Sequence, residues 1–474
     1  MAHTIPEVRK SYINGQWTTS SSNQTFPAYN PSTTTQIGTS DLTPTDTTNA
    51  ITAAQKAFQT YRHTPVHTRA HHLRTWHSLL LTHKTDLATL LTLENGKPYA
   101  EALAEITYAA SFLAWFAEEA PRTYGDTIPV SVPGTMVLTV REPVGVCGLI
   151  TPWNFPAAMV ARKIGPALAA GCSVVVKSAA ETPFTANAMV ELASRAGIPD
   201  GVVNVVTAGV NTVGVGRVLA SHDDVRKVSF TGSTGVGKVL MGLAAGGMKR
   251  GSWELGGIAP RRLRGLLRRS LGGGGQTCVC ANRVYVQRGV YGEFAERLVE
   301  RIKGLRVGDG FGEGVTIEPL VHGRAVEKVM AHVEDAKAKG ARVLFGGRRM
   351  EELGPNFVQP TVLVDMTGDM RLASEETFGP VAALFPFDSE EEVIREANRC
   401  EVGLAAYIYT GSTSRLFRVA EALEVGMVGA NTGIISNVAA PFGGVKESGF
   451  GREGSKYGID EFTHIKTITI GGLA

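Results

Sequence analysis

Three regimes of hydrophobic and polar spacing divide the chain. Residues 1–45 are rich in Ser, Thr, Asn and Pro, and runs such as SYINGQW and YNPST predict short strands and turns. From about residue 46 to 120, apolar positions recur at spacings of three and four. TDTTNAITAAQKAF opens on good capping residues and HTRAHHLRTWHSLLLTHKTDLATLLTLE continues the spacing, which predicts successive amphipathic helices. After residue 139 the pattern changes. VREPVGVCGLITPWNFP predicts a strand and a turn, MVARKIGPALAAG a helix, CSVVVKSA a strand and TANAMVELASRAG a helix. VVNVVTA, TVGVGRVLASH, VRKVSFTGS and TGVGKVLMGLAAG repeat the alternation.

Strands and helices joined by short connections predict an α/β fold with a doubly wound parallel sheet. The continuous apolar run SVVVK suits a strand covered on both faces. Such sheets bind dinucleotides at the carboxyl ends of their strands. A second α/β pattern follows through RVYVQ, YGEFAERLVERIKGL, AVEKVMAHVEDAKAKG, ARVLFGG, EEEVIREANRC, AAYIYT and SRLFRVAEALEVG. The tail HIKTITIGG alternates and suits an edge strand shared between subunits. The expected organisation is a dinucleotide-binding domain over 1–118 and 139–251, a catalytic domain over 252–430, and a small bridging β element over 119–138 and 453–474.

Composition narrows the classes. The chain has 474 residues, 43% hydrophobic and 19% charged, enough for two or three cores. A net charge of +3, from 47 basic and 44 acidic residues, is too balanced for a nucleic-acid or membrane-surface protein. Five cysteines, an odd number, argue for a reducing compartment rather than a disulfide scaffold. No signal or transit peptide and no run long enough to span a bilayer are read, so a cytoplasmic protein is expected. His67, His71, His72, His77 and His83 scatter round helices without carboxylate partners, so no metal site is expected.

The motifs INGQW, ENGKP, PWNFP, FTGSTGVGK, ELGG, GQTC, EETFGP and PFGGVKESGFGRE occur in that order. Together they resemble the aldehyde dehydrogenase family over nearly the whole chain. GQTCVCANRVYVQRGVY and PFGGVKESGFGREGSKYGIDEF are most similar to its succinate-semialdehyde branch. Aldehyde oxidation through sulfur needs a thiolate, donors for an oxyanion, a hydride acceptor and a base that activates water. The resemblance assigns Cys278 as nucleophile, Glu254 as base and Asn154, beside the Cys278 N–H, as oxyanion donor. The blander readings are a structural cysteine, a surface glutamate and a helix cap. Cys280 reads as a second thiol with no necessary role, or as the partner of a reversible redox bridge.

For the cofactor, the resemblance implies Lys177 at the ribose and phosphates, Gly232 and Ser233 at a helix start under the pyrophosphate, and Glu376 and Phe378 at the nicotinamide end. Trp153 is matched to the adenosine part. Where many NAD-preferring relatives carry a Glu, this chain has Ala180, followed by Glu181. That removes a repulsion against a 2′-phosphate, which Ser178 could help hold, so NADP is expected alongside NAD. A one-residue realignment bringing in Glu181 would favour NAD. For a substrate with a distal carboxylate the resemblance points to Arg162 and Ser436. A second arginine of the branch is replaced by Gly272. The implied reaction is oxidation of succinate semialdehyde to succinate in 4-aminobutyrate catabolism, by a homodimer or homotetramer.

Two features pull the other way. GSTGVGK (232–238) has P-loop spacing, which would make a nucleotide hydrolase, but Val239 stands where a Mg²⁺-holding hydroxyl belongs. Between ELGG and GQTC, the stretch 258–274 holds five arginines and the first three of four consecutive glycines, the fourth opening GQTC. Glu254 and Cys278 are 24 positions apart (278 minus 254), and the family spacing is longer by roughly ten residues, worth ~15 Å of helix. Arginines resist burial in a parallel strand, and glycines disfavour a helix. The stretch reads as a basic loop, as the mark of an impaired relative, or as a frame error. Codons CGT-CGT-CTT-CGA-GGA shifted by one base give GTC-GTC-TTC-GAG, Val-Val-Phe-Glu, much like a family strand. Sequencing the transcript tests this hypothesis, and an uninterrupted message encoding the arginines would sink it.

Overall fold

A computed structural model describes residues 10–39, 42–258, 260–261 and 272–473. Four helices, Pro44–Tyr61, Val66–Thr82, Lys84–Asn95 and Tyr99–Glu119, fill the early region as the 3.6-residue spacing predicts. The first is closed by a reciprocal capping box between Thr43 and Asp46.

Five parallel strands form the first sheet: Val146–Ile150, Ser173–Lys177, Val203–Val206, Val225–Thr231 and Arg250–Glu254. Their spatial order is fifth, fourth, first, second, third, and the antiparallel strands Ser11–Ile13 and Gln16–Thr18 continue the far edge. The chain reverses direction across the sheet beside Val146–Ile150. A crevice therefore opens between the carboxyl ends of that strand and Val225–Thr231, where α/β sheets bind nucleotides. The helix Pro156–Ala170 is buried along its whole length and packs on Tyr99–Glu119. It brings Asn154, just before its first turn, and Arg162, two turns in, to one region.

One strand was read too broadly from sequence. VREPVGVCGLI is two strands, Met136–Pro143 and Val146–Ile150, in different sheets. Pro143 ends the first, and Gly145 turns the chain with φ +127°, a conformation that side chains rarely adopt. Met136–Pro143 pairs antiparallel with Thr463–Ile470 over eight residue pairs, and Thr127–Ile128 lines its other edge. The tail is thus a sheet strand, and the three-stranded ribbon reaches to Pro143, past the expected limit of 138.

In the second sheet, Arg283–Gln287, Val381–Phe387 and Thr361–Val364 run parallel, with Arg342–Phe345 antiparallel at the edge. The backbone of Pro260–Arg261 pairs with Arg283 and Val284. Ala405–Ile408 and Met427–Ala430 form a separate parallel pair. Residues 259 and 262–271 lie outside the described residues, and with them most of the arginine-rich stretch. Gly272–Gly275, at its end, form a single 3₁₀ turn. No helix among the described residues is long and apolar enough to cross a membrane.

Candidate active site

Asn154 and Cys278 are joined through the nucleophile loop. Asn154 is buried, and its Nδ2 donates to the carbonyl of Gln276, 2.9 Å away and two residues before Cys278. Its Oδ1 is buried without a hydrogen-bond partner among the described residues. The capping alternative fails here. The helix that follows has no side-chain cap, and the N–H groups of Ala157 and Ala158 donate instead to Glu105 Oε1 at 3.0 and 3.3 Å. The turn around Asn154 is clamped from outside. Buried Lys97 donates to the Asn154 carbonyl at 2.8 Å and to Glu105 Oε2 at 2.5 Å, and Asn95 donates to the Trp153 carbonyl at 2.9 Å. Sequence reading quoted ENGKP and assigned no role to its Asn95 or Lys97.

Glu254 ends the edge strand, paired in register with Thr231. Both carboxylate oxygens are buried with no hydrogen-bond partner among the described residues. Burial first, and then the charge of Glu453, push this carboxyl well above the usual range, against the pull of Lys163, Arg162 and Arg452. The turn Leu255–Gly257 then packs on Cys278. A Cβ on Gly257 would lie 3.0 Å from the Cys278 carbonyl oxygen, and one on Gly256 would lie 3.2 Å from Glu376 Oε2. Ser448 holds this turn by donating to the Gly256 carbonyl at 2.6 Å.

Cys278 opens onto a cavity of about 540 Å³, lined by Arg162, Ser436, Tyr108, Phe155 and Phe442 among others. Burial pushes its thiol up to about 12. Arg162 is the chief influence in the other direction, opposed by Glu376, Glu254 and Cys280. Arg162 is itself buried. Its Nε lies 3.1 Å from Glu453 Oε2 in an ion pair, and its guanidinium carbon stands 4.3 Å from the Phe442 ring centre and 5.1 Å from that of Phe112. Burial opposes its charge, yet Tyr108, Glu453, Glu254 and Cys278 together hold it above its ordinary value. Lys163 also pairs with Glu453, at 2.6 Å. Glu453 lies in the quoted motif SGFGRE, but sequence alone gave no sign that it would be buried between two cations. Cys280 is buried, and no disulfide joins any of the five cysteines, all of which lie among the described residues.

The cofactor candidates come from a strand end, a helix start and the loop before Val381–Phe387. Lys177 ends its strand and donates to the Ser178 carbonyl at 3.0 Å. The Ser178 hydroxyl is buried without a hydrogen-bond partner among the described residues, and Ala180 follows half-buried. Ser233 caps the helix Thr234–Ala245 by position, but its side chain makes no capping bond. The first N–H groups of that helix therefore lack side-chain partners. Gly232 departs from expectation: its N–H is committed to the Glu254 carbonyl at 3.1 Å, so it does not offer the free donor read from sequence. Glu376 accepts from the Gly257 N–H at 3.1 Å, and its carboxyl is pushed up to about 7 by burial. Phe378 has φ +56°.

Trp153 was expected against adenosine. Its ring instead meets Phe378 edge to face, 5.6 Å between centres. A dinucleotide separates its two ends, so the expectations for Trp153 at adenosine and Phe378 at nicotinamide do not fit two rings in contact. A strand-end lysine, an unpartnered buried hydroxyl and an open helix start together fit a dinucleotide. The P-loop reading does not survive. Gly237 and Lys238 lie inside the helix, not in a loop, and Lys238 pairs with Glu447 at 2.5 Å on the surface.

The chain belongs to the aldehyde dehydrogenase family, whose sequence profile matches residues 17–468. It is therefore an aldehyde-oxidising enzyme by descent. It is 51% identical over 473 residues to a glutarate-semialdehyde dehydrogenase of Pseudomonas putida, with 98% of each chain covered. It is also 51% identical over 474 residues to an NADP-dependent succinate-semialdehyde dehydrogenase of Escherichia coli, again with 98% of each covered. Among solved structures, an NADP-dependent enzyme of Escherichia coli superposes with a TM-score of 0.96 at 50% identity, covering 98% of both chains.

Proposed function

We propose that this chain oxidises a short aldehyde bearing a distal carboxylate, with succinate semialdehyde as first choice, to the dicarboxylate. The observation that carries the reading is Arg162, a cation at the wall of the cavity onto which Cys278 opens, with Ser436 on the same lining. Such a pair suits a carboxylate at the far end of a small substrate. One relative acts on the five-carbon semialdehyde, so glutarate semialdehyde is the second substrate to test.

The chemistry runs on the chain's own groups. The Cys278 thiolate adds to the aldehyde carbon to give a thiohemiacetal. The amide of Asn154 turns from the Gln276 carbonyl to the new oxyanion, beside the Cys278 N–H. A nicotinamide dinucleotide held by the residues named below would supply the hydride acceptor, so that the thiohemiacetal could become a thioester on Cys278. Glu254, in its carboxylate form, then takes a proton from water, which attacks the thioester and releases the acid. Lys177, Ser178, Ala180, Ser233, Glu376, Phe378 and Trp153 would hold the dinucleotide, and Ala180 suits NADP as well as NAD. Support for a homodimer or homotetramer comes from the ribbon Thr463–Ile470, whose residues after Thr463 are exposed. A role in 4-aminobutyrate breakdown goes with that substrate, and a cytoplasmic place goes with the odd cysteine count.

The test is purified protein with succinate semialdehyde, glutarate semialdehyde or butanal, and NAD or NADP, followed at the reduced-nicotinamide absorbance. Turnover of a semialdehyde acid that is lost in Cys278→Ala supports the reading. A folded protein that binds dinucleotide and turns over none of them would be the impaired relative to which the 258–274 stretch points.

A further inference from the structure

We propose that Asn282 is a positioning residue that ties the turn after the base to the loop that receives the dinucleotide, with His332 holding that loop from its other side. This rests on the oxidation reading above. Asn282 follows the nucleophile by four residues and is buried. Its Nδ2 donates to the Gly257 carbonyl at 3.2 Å, and its Oδ1 accepts from the Thr377 N–H at 3.4 Å. Gly257 in turn donates its N–H to Glu376 at 3.1 Å. The turn from Glu254 and the loop bearing Glu376 are thus joined twice, and one of the two links passes through Asn282.

The second support is independent. His332 projects from the helix Gly323–Ala338 and is fully buried. Its Nε2 lies 3.1 Å from Glu375 Oε2, and its Nδ1 lies 3.1 Å from Thr377 Oγ1. Glu375 also takes a two-pronged contact from Arg371, at 3.0 and 2.9 Å, which holds it ionised. An ionised carboxylate only accepts, so Nε2 carries the proton, and Nδ1 of the neutral ring accepts from the threonine hydroxyl. Burial favours that neutral ring.

This loop needs outside restraint. Phe378 holds φ +56°, a strained conformation for a bulky residue that persists only where its surroundings enforce it. Hydride transfer also tolerates little error in the separation of the reacting atoms. Asn282 and His332 touch no reacting atom. They fix the platform on which Glu376 and Phe378 meet the dinucleotide, relative to the turn that carries the base.

The experiment compares Asn282→Asp, Asn282→Ala and His332→Gln with wild type. Asn282→Asp keeps the shape and the acceptor toward Thr377 but sets an oxygen against the Gly257 carbonyl. Dinucleotide affinity is read by quenching of protein fluorescence, which needs no turnover. KM is measured separately for dinucleotide and aldehyde, and alkylation of Cys278 by iodoacetamide without dinucleotide reports the nucleophile. Asn282→Asp is expected to weaken dinucleotide binding about tenfold, the effect of one buried hydrogen bond. Aldehyde KM and the alkylation rate should stay within about twofold of wild type. His332→Gln, which can still donate to Glu375, should lose less than Asn282→Asp. A lowered melting temperature with unchanged dinucleotide affinity in all three variants would overturn the proposal. Wild-type protein that binds no dinucleotide would instead remove the oxidation reading on which it rests.

Discussion

Replacing Arg162 with Met tests both the substrate and the state of the nucleophile. The arginine lies at the cavity wall and is the chief influence lowering the Cys278 thiol. A charge-assisted hydrogen bond to a buried carboxylate contributes about 1.5–3 kcal/mol, so its loss should cost ~10- to 150-fold in kcat/KM for succinate semialdehyde. Butanal has the same carbon count and no distal charge, so it should lose only what comes through the thiol. The ratio of the two losses is the measurement. The thiol arm is read separately: at pH 8, alkylation of Cys278 should be slower in the variant, because the thiol rises further. The fold should survive, because Glu453 keeps its 2.6 Å contact with Lys163 and is not left as a lone buried charge. Arg162→Lys, which retains a charge without the planar fork, should recover the alkylation rate more than the acid's kcat/KM. Equal losses for the acid and for butanal would refute a carboxylate-binding role for Arg162.

Glu254→Gln should leave a single burst of reduced nicotinamide per subunit and lower steady-state turnover by about 10²–10⁴, since only thioester hydrolysis needs the base; loss of the burst in stopped-flow would contradict the assignment. Gly275→Ala should destabilise the protein and slow Cys278 alkylation, because its Cβ would lie 2.0 Å from the Gly379 carbonyl oxygen at φ +77°; an unchanged melting curve would count against that geometry. Glu94 is fully buried and pushed up from 4.5 to about 7, chiefly by burial. The folded state therefore keeps a proton that the unfolded state releases, so this group costs stability as pH rises from about 4.5 to about 7. The melting temperature of Glu94→Gln minus that of wild type should grow more positive across that window, and a flat difference would reject the shift.

Strand and helix order was legible because apolar spacing follows burial, and the central strands of the first sheet are buried on both faces. The boundary at Val144–Gly145 was not legible from that signal. Apolar residues continue through it while the chain changes sheets, and only Pro143 and Gly145 mark the break. Cys278, Glu254 and Asn154 could be proposed from sequence because their motifs are local. The residues that hold them could not. Lys97 is 57 positions from Asn154, and Glu453 is 290 from Lys163. Nothing in a linear pattern tells a buried paired carboxylate from a solvated one. The misplaced role of Gly232 has the same origin: a helix start advertises free N–H groups, but the neighbouring strand had already taken this one.

The arginine-rich stretch first suggested that base and nucleophile were held at the wrong separation, since the residues joining them are too few. Among the described residues, their relative position is set by other means. The Gly257 side of the turn packs on the Cys278 carbonyl, and Asn282 donates to the Gly257 carbonyl. Arg283 reaches the Ile258 carbonyl at 3.1 Å while also holding the carbonyls of Glu396 and Ala397, and Tyr407 donates to the Val279 carbonyl at 3.0 Å. Each of these bonds comes from one side or the other of 259–271. A covalent tether sets only an upper limit on separation, whereas packed carbonyls and buried donors fix distance and direction together. The short spacing therefore bears on whether the second sheet is stable more than on whether Glu254 can face Cys278. A melting curve interrogates the first property, and the burst in Glu254→Gln interrogates the second.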